Sequence, residues 1–371
     1  MPETLTIRGA VLETMDAARP YAESTPITIS EMELGAPGDG ELLLKIEAAG
    51  ICHSDLSVVD GNRARPLPML LGHEAAGRIE AIGPGVEGLT VGDRVVLAFL
   101  PRCGECSACQ TDGIMPCSVG SKANEAGELL GGGSRLSRHG EHINHHLGVS
   151  GFATRAVVDH RSVTRVDDDV PPEVAAVLGC AVLTGGGAVI NAGKPKPGQR
   201  VAVVGLGGVG MAAFLVALAQ DGVTVIGVDG MPEKLELARE WGAAEVYTPQ
   251  EVTVQGITAD VVIEAAGNAR AFETAVDMTA PGGRMVSVGL PAPDARSSIS
   301  PLKMVAQAKT IIGSYLGSAV PARDIPTFAQ WWREGKLPVE KLITAKITLD
   351  QVNEAMDALA DGKSVRQVIM F

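Results

Sequence analysis

At 371 residues the chain is too long for one ordinary hydrophobic core and fits two domains. Its 46% apolar residues, 45 glycines and 22 prolines suit a turn-rich α/β protein, and with aromatics at 3% the core must rest on Val, Ala, Leu and Ile. A net charge of −13 argues against nucleic acid or an anionic membrane as partner. The first ten residues carry Glu3 and Arg8 and lack the basic start and apolar centre of a signal peptide. The most apolar stretches are broken by Gly, Asp or Lys, so no membrane span is read and the expected location is the cytoplasm. Strand candidates at 41–47, 75–82 and 93–99 are separated by turn clusters at 35–40 and 83–85. From about Val182 the pattern becomes strand, glycine turn, helix, strand: strand 200–204, helix 209–220, strand 223–228, helix 234–241, then strands 259–263 and 284–288. That alternation implies a parallel sheet with helices on its faces. After about Ser314 it loosens, with a helix at 351–360 and a last strand at 366–371. A dinucleotide-binding domain over 182–315 is therefore expected between two pieces, 1–181 and 316–371, of a first domain.

Gly205-Leu-Gly207-Gly-Val-Gly210 has the G-x-G-x-x-G spacing. Alone that is a weak signal, but here it follows a strand and opens a helix. Gly205 permits the tight turn, Gly207 lets backbone approach a pyrophosphate, and Gly210 allows close packing of helix on strand. Phosphates would then meet the positive end of the helix dipole. Asp229 follows the next strand, where an acid accepts hydrogen bonds from the adenosine ribose and repels a 2′-phosphate, so NAD is expected over NADP. The alternative for Asp229 is a plain strand-end turn residue. Lys234 is either a second ribose contact or part of a solvated helix face.

The cysteines are Cys52, Cys103, Cys106, Cys109, Cys117 and Cys180. In a reducing cytosol disulfides are not expected, and the crowding of four of them points to metal. Cys103-x-x-Cys106-x-x-Cys109, followed by Cys117, supplies four thiolates, enough to close a tetrahedral structural zinc site. A redox dithiol would explain one C-x-x-C pair but not four cysteines. Cys52, His73 and Cys180 lie in distant segments, and spacing alone does not join them.

Taken together, the segments Gly50-Ile-Cys-His-Ser-Asp55 and Gly72-His-Glu-Ala-Ala-Gly77, the four-cysteine stretch, the glycine motif and residues 364–371 resemble the zinc-containing alcohol dehydrogenases of the medium-chain dehydrogenase/reductase superfamily. The resemblance covers nearly the whole chain. It implies a β-rich GroES-like catalytic domain and a Rossmann domain with a doubly wound parallel sheet. It also implies two zinc ions and NAD, and reversible hydride transfer between an uncharged primary or secondary alcohol and the nicotinamide ring. By resemblance Cys52, His73 and Cys180 bind a catalytic zinc, with the open fourth position such a site needs. Asp55 orients His73, Glu74 stands behind the metal, and Ser54 hydrogen-bonds the alcohol and begins its proton path. Arg366 and His53 match positions that grip the pyrophosphate, and Thr184 one beneath the nicotinamide. Phe99, Leu290, Tyr315 and Ser57 match positions along the substrate channel, mostly apolar and without a charged anchor.

The sequence also departs from the family pattern. Ser57 stands where many relatives carry an outer relay histidine, so that relay is expected to end in solvent or at His53. Histidine in place of arginine at His53 suggests faster, more pH-dependent cofactor release. Residues 118–150 resemble the long loop of dimeric members, and His139, His142, His145 and His146 in it are read as solvated. A homodimer formed through the nucleotide-domain sheet edge near Tyr315 is the implied assembly. Two rival functions remain at this point: a thiol-dependent formaldehyde dehydrogenase of the same family, and a non-catalytic NAD-binding protein.

Overall fold

A computed structural model describes residues 4–371; the first three residues of the stretch read as lacking a leader lie outside the described residues. The chain forms two compact units. One takes in the chain up to Cys180 together with Pro321–Ala329 and Val339–Phe371; the other takes in Ala181–Val320 and Gln330–Pro338.

The first unit is built on two β-sheets. In one, Thr4–Leu12 pairs antiparallel with Ile27–Gly35 and carries Met69–Leu70 on its other side. In the other, Glu41–Ile51 is central, flanked by Ala75–Ile82 and Arg366–Met370, and Arg94–Leu97 follows beyond Ala75–Ile82. Leu42, Leu44 and Ile46 alternate along the central strand into one core cluster with Val95, Leu97, Phe152 and Ile369. That alternation of inward side chains pins the strand's register, since a one-residue slip would turn the whole set outward. It therefore fixes where the strand ends, at Ile51, and hence where Cys52 begins the next helix, His53–Val59.

The second unit holds a six-stranded, all-parallel sheet. Taking Arg200–Val204 as its first strand, the spatial order is 3-2-1-4-5-6, the doubly wound Rossmann arrangement. The order reverses beside the first strand, so a crevice for a dinucleotide is expected at that strand's carboxyl end. Val201, Ala202, Val203 and Val204 are all buried, as a strand covered on both faces requires.

One reading is corrected by a single helical run. Residues Pro172–Gly193 are long and apolar enough to cross a membrane, although no such stretch was read in the sequence. The glycines that interrupt it in sequence allow close packing in the fold at Gly179, Gly185 and Gly187. A Cβ at Gly185 would meet the Ala213 backbone nitrogen at 2.7 Å. The run is 89% buried in the protein, as for a core helix. It widens to π-helix at Leu178–Val182 and again at Ala188–Gly193, and the first of these holds Cys180. Such bulges re-aim a side chain within a helix and are frequent at functional sites.

Candidate metal centres and nucleotide site

Three separate pieces of the first unit bring four side chains to one place. Cys52 sits at the end of the central strand, His73 and Glu74 follow Met69–Leu70, and Cys180 comes from the π-turn. Their ligating atoms all lie within 4.8 Å of one another, and all four residues are buried. Cys180 Sγ is 3.4 Å from His73 Nε2. The edge between a sulfur and a nitrogen ligand of tetrahedral zinc is about 3.6 Å, from bonds of roughly 2.3 and 2.05 Å.

The orientation of His73 has a visible cause. Its Nδ1 lies 2.9 Å from Asp55 Oδ1, and Asp55 Oδ2 accepts the Cys52 backbone N–H at 3.0 Å. One carboxylate thus fixes the imidazole ring and the start of the helix that carries Cys52. Phe99 presses edge-on to the His73 ring, with centroids 5.6 Å apart.

Glu74 closes the far side. A Cβ at Gly50 would overlap its carboxylate, so only glycine lets the acid lie there. Both of its oxygens lack a hydrogen-bond partner, and Arg366 Nη1 stands 3.6 Å from one of them. Burial pushes the Glu74 carboxyl up to about 7. The Arg366 guanidinium is itself buried and donates to the Ile51 carbonyl at 2.9 Å.

The cluster gathers the acidic groups Asp55 and Glu74 beside two cysteines, with the Arg366 guanidinium close to Glu74. A hydrogen bond from Cys180 holds Cys52 well below the usual thiol range. Burial alone would depress His73, yet Asp55 and the Cys52 thiolate outweigh it and raise it well above the usual imidazole range. Negative charge that draws a proton onto a buried histidine is charge a divalent cation would neutralise. The donor set of two sulfurs, one nitrogen and a carboxylate behind them fits zinc.

Cys103, Cys106, Cys109 and Cys117 form the second cluster, again with all sulfurs within 4.8 Å. Cys103 and Cys109 sulfurs are 3.9 Å apart, as are those of Cys106 and Cys117. A zinc tetrahedron with bonds near 2.3 Å has edges of about 3.8 Å. Backbone N–H groups of Cys106 and Gly120 donate to the sulfurs of Cys103 and Cys117 at 3.4 and 3.3 Å, which favours thiolates. The Ser118 hydroxyl, with neighbouring backbone N–H groups, brings Cys106 down to about 5, whereas desolvation pushes Cys109 up to about 12. One compact turn-rich segment therefore fits a closed zinc site.

In the second unit each motif glycine has its own reason. Gly205 has φ +91°, and a Cβ there would strike the Ala266 backbone at 2.6 Å. At Gly207 a Cβ would meet nothing, which leaves open space for a phosphate at the start of Gly208–Leu218. A Cβ at Gly210 would overlap the Gly205 carbonyl. Asp229 follows Thr224–Val228 and accepts from the backbone N–H of Leu206 at 2.7 Å and of Met231 at 2.9 Å. Each carboxylate oxygen keeps acceptor capacity for a ribose hydroxyl. Lys234 is half-buried on the following helix, Pro232–Trp241, and Thr184 is buried on Leu183–Gly187.

The remaining expected residues are placed as follows. His53 is exposed and Ser54 half-buried at the start of their helix. The Ser57 hydroxyl donates to the Ser54 carbonyl at 2.9 Å. Phe99 is buried in the first unit; in the second, Leu290 is exposed and Tyr315 half-buried. The expectation of a solvated histidine loop is corrected in half its members: His139 and His142 fit it, but His145 and His146 are fully buried. Folding draws them in because Met69 and Leu70 pair with Asn144 and His145 in a short parallel ladder. Glu264 was missed altogether. It is buried at the end of Ala259–Glu264 and accepts from the N–H groups of Ala266 and Gly267 and from the Ser287 hydroxyl. An acid directly after the apolar run Val261–Ile263 was the available signal.

Comparison with known proteins decides the family. Residues 38–168 match the alcohol dehydrogenase GroES-like domain, and residues 208–334 match the zinc-binding dehydrogenase domain. Alcohol dehydrogenase 1 of Pisum sativum is 33% identical, over 95% of this chain and 96% of its own. The chain belongs to the zinc-containing alcohol dehydrogenase family. This dehydrogenase is likewise 34% identical to the NDMA-dependent alcohol dehydrogenase of Amycolatopsis methanolica, over 95% and 98% of the two chains. Its fold superposes on the crystal structure of benzyl alcohol dehydrogenase from Acinetobacter calcoaceticus with a TM-score of 0.90, at 31% identity and 99% coverage of both. The dehydrogenase is thus an oxidoreductase that exchanges a hydride between an alcohol and a nicotinamide cofactor.

Proposed function

We propose that this dehydrogenase oxidises uncharged primary or secondary alcohols with NAD rather than NADP, carrying one catalytic and one structural zinc in each chain. The observation that carries the reading is the buried cluster of Cys52, His73 and Cys180, two sulfurs and an imidazole nitrogen whose ligating atoms lie within 4.8 Å of one another, a donor set that suits zinc. Those three residues would hold the catalytic zinc, with Glu74 behind it, and Cys103, Cys106, Cys109 and Cys117 the structural one. When bound, the catalytic zinc supplies Lewis acidity at the substrate oxygen and NAD supplies the hydride acceptor.

The chain's own groups do the rest. Asp55 holds His73 Nδ1 so that Nε2 stays available as a ligand. The Ser54 hydroxyl accepts the alcohol proton and passes it outward; Ser57, occupied by the Ser54 carbonyl, supports a path that ends in solvent or at His53. With NAD bound, the Gly205–Gly210 turn would offer its N–H groups to the pyrophosphate and Asp229 and Lys234 would take the ribose. The parts of Arg366 and His53 at the pyrophosphate and of Thr184 at the nicotinamide rest on resemblance. Apolar walls, Phe99 among them, exclude water and favour a neutral substrate. The parts of Ser57, Leu290 and Tyr315 in the substrate channel rest on resemblance, as do a homodimer and a cytoplasmic location.

Initial rates with NAD and with NADP, across primary, secondary and aromatic alcohols and one hydroxy acid, test the reading. Turnover of neutral alcohols with a large NAD preference is expected. Preference for NADP, or for the hydroxy acid, would overturn the corresponding assignment. Formaldehyde turnover only in the presence of a thiol would point to the rival dehydrogenase.

A further inference from the structure

The segment 144–150 brings a second imidazole to Asp55. His146 is fully buried, and its Nδ1 lies 3.2 Å from Asp55 Oδ1, the same oxygen that His73 Nδ1 reaches at 2.9 Å. The two rings meet edge to face with centroids 5.4 Å apart. The His146 contact is too oblique to count as a linear hydrogen bond, so it holds by proximity and the dipole of the ring N–H. The facing nitrogen must still carry the proton, because a bare lone pair there would oppose the carboxylate's own. Asp55 is then held on three sides: by two imidazoles on Oδ1 and by the Cys52 amide on Oδ2.

The backbone is bent to put His146 there. Leu147, Gly148 and Ser150 have φ of 53°, 67° and 51°. For leucine and serine this left-handed conformation is strained, and such strain persists where the surroundings over-determine it. The buried Ser150 hydroxyl pins the turn, accepting from the His146 N–H and donating to the Leu70 carbonyl, both at 3.0 Å. Leu70 is three residues before His73, so one tie locates both histidines.

We propose that His146 is a positioning residue of the metal centre: it clamps Asp55 at the oxygen that His73 also reaches and, through Asp55, fixes the His73 ring as a ligand. The proposal rests on the reading of Cys52, His73 and Cys180 as holders of a catalytic zinc. Packing alone would be satisfied by any side chain of similar volume. The clamp needs an N–H donor where Nδ1 stands. Leucine has the volume without the donor, and asparagine places an amide N–H close to that position.

Zinc release from the purified holoenzyme to a chromogenic chelator tests this. The release phase absent from Cys180→Ser belongs to the catalytic zinc. His146→Leu is expected to speed that phase about 10–100-fold, the usual cost of losing a group that orients a ligand. His146→Asn should restore slow release, and the phase from the four-cysteine site should not move in either variant. If His146→Leu does not fold, His146→Gln, whose amide stands beyond the place of Nδ1, makes the same comparison. Release at the wild-type rate from the donor-less variant overturns the clamp. Equal acceleration with and without the donor also overturns it, since that reports packing alone. A wild-type protein whose zinc is all retained in Cys180→Ser overturns the catalytic-zinc reading itself, and the clamp with it.

Discussion

Asp55 Oδ1 sits 2.9 Å from His73 Nδ1, and that contact aims His73 Nε2 at Cys180 Sγ, 3.4 Å away. A carboxylate behind an imidazole fixes which nitrogen keeps the proton and which offers its lone pair. The ligand set therefore depends on an acid with no exposed surface.

Replacing Asp55 with Ala should leave the His73 ring free to turn and the Cys52 amide without its acceptor. Affinity for the catalytic zinc is expected to fall about 10–100-fold. Competition with a chelator of known strength measures it. Unchanged affinity would show that His73 is oriented by packing against the rings of Phe99 and His146.

Asp229 serves both the glycine turn and, in this account, the ribose. Asp229→Ser should raise KM for NAD about 10–100-fold, the range given by one charge-assisted hydrogen bond of roughly 1.5–3 kcal/mol. Discrimination against NADP should narrow in the same variant, because the repelling carboxylate is gone. Steady-state kinetics with both cofactors read the two effects, and a preference for NAD over NADP that stays fixed would assign Asp229 to the turn alone.

Cys106→Ser should remove one of two zinc ions, since three sulfurs leave the closed site incomplete. The segment that includes Ser107–Thr111 draws its order from those sulfurs, and limited proteolysis within 103–117 is the expected sign of its loss. Resistance to proteolysis with both metals retained would contradict the assignment.

His145 is buried with neither ring nitrogen bonded, and burial holds its pKa down to about 3. A depressed histidine binds fewer protons folded than unfolded. Its contribution to stability is whole above the unfolded pKa near 6.5 and drains away as pH falls toward 3. Relative to pH 7.5, the wild type should lose about 2 kcal/mol more than His145→Leu by pH 5. Urea unfolding at the two pH values gives the difference; parallel losses would mean that His145 finds a partner on folding.

Much of the second unit was legible because its signals are local. The strand 200–204 and the three glycines each express a short-range constraint, and they fall as read. In the first unit 75–82 also falls as read, but Thr4–Leu12 and Ile27–Gly35 were not anticipated; their pairing is settled by packing between distant residues. The four-cysteine cluster was legible from spacing alone. Cys52, His73 and Cys180 were joined only by resemblance, since three strand and helix ends, far apart in sequence, have to fold before they meet. The burial of His145 and His146 was hidden for a related reason: a polar segment reads as solvent-exposed until a short ladder to Met69–Leu70 draws it inward.

The most direct test of the central claim is elemental zinc analysis of the wild type and Cys180→Ser, paired with alcohol-dependent NAD reduction. Two zinc ions per chain and chelator-sensitive NADH formation are expected in the wild type, and one zinc with no turnover in Cys180→Ser. A wild type with a single zinc that survives in Cys180→Ser, or one that reduces NAD regardless of that substitution, would contradict that claim.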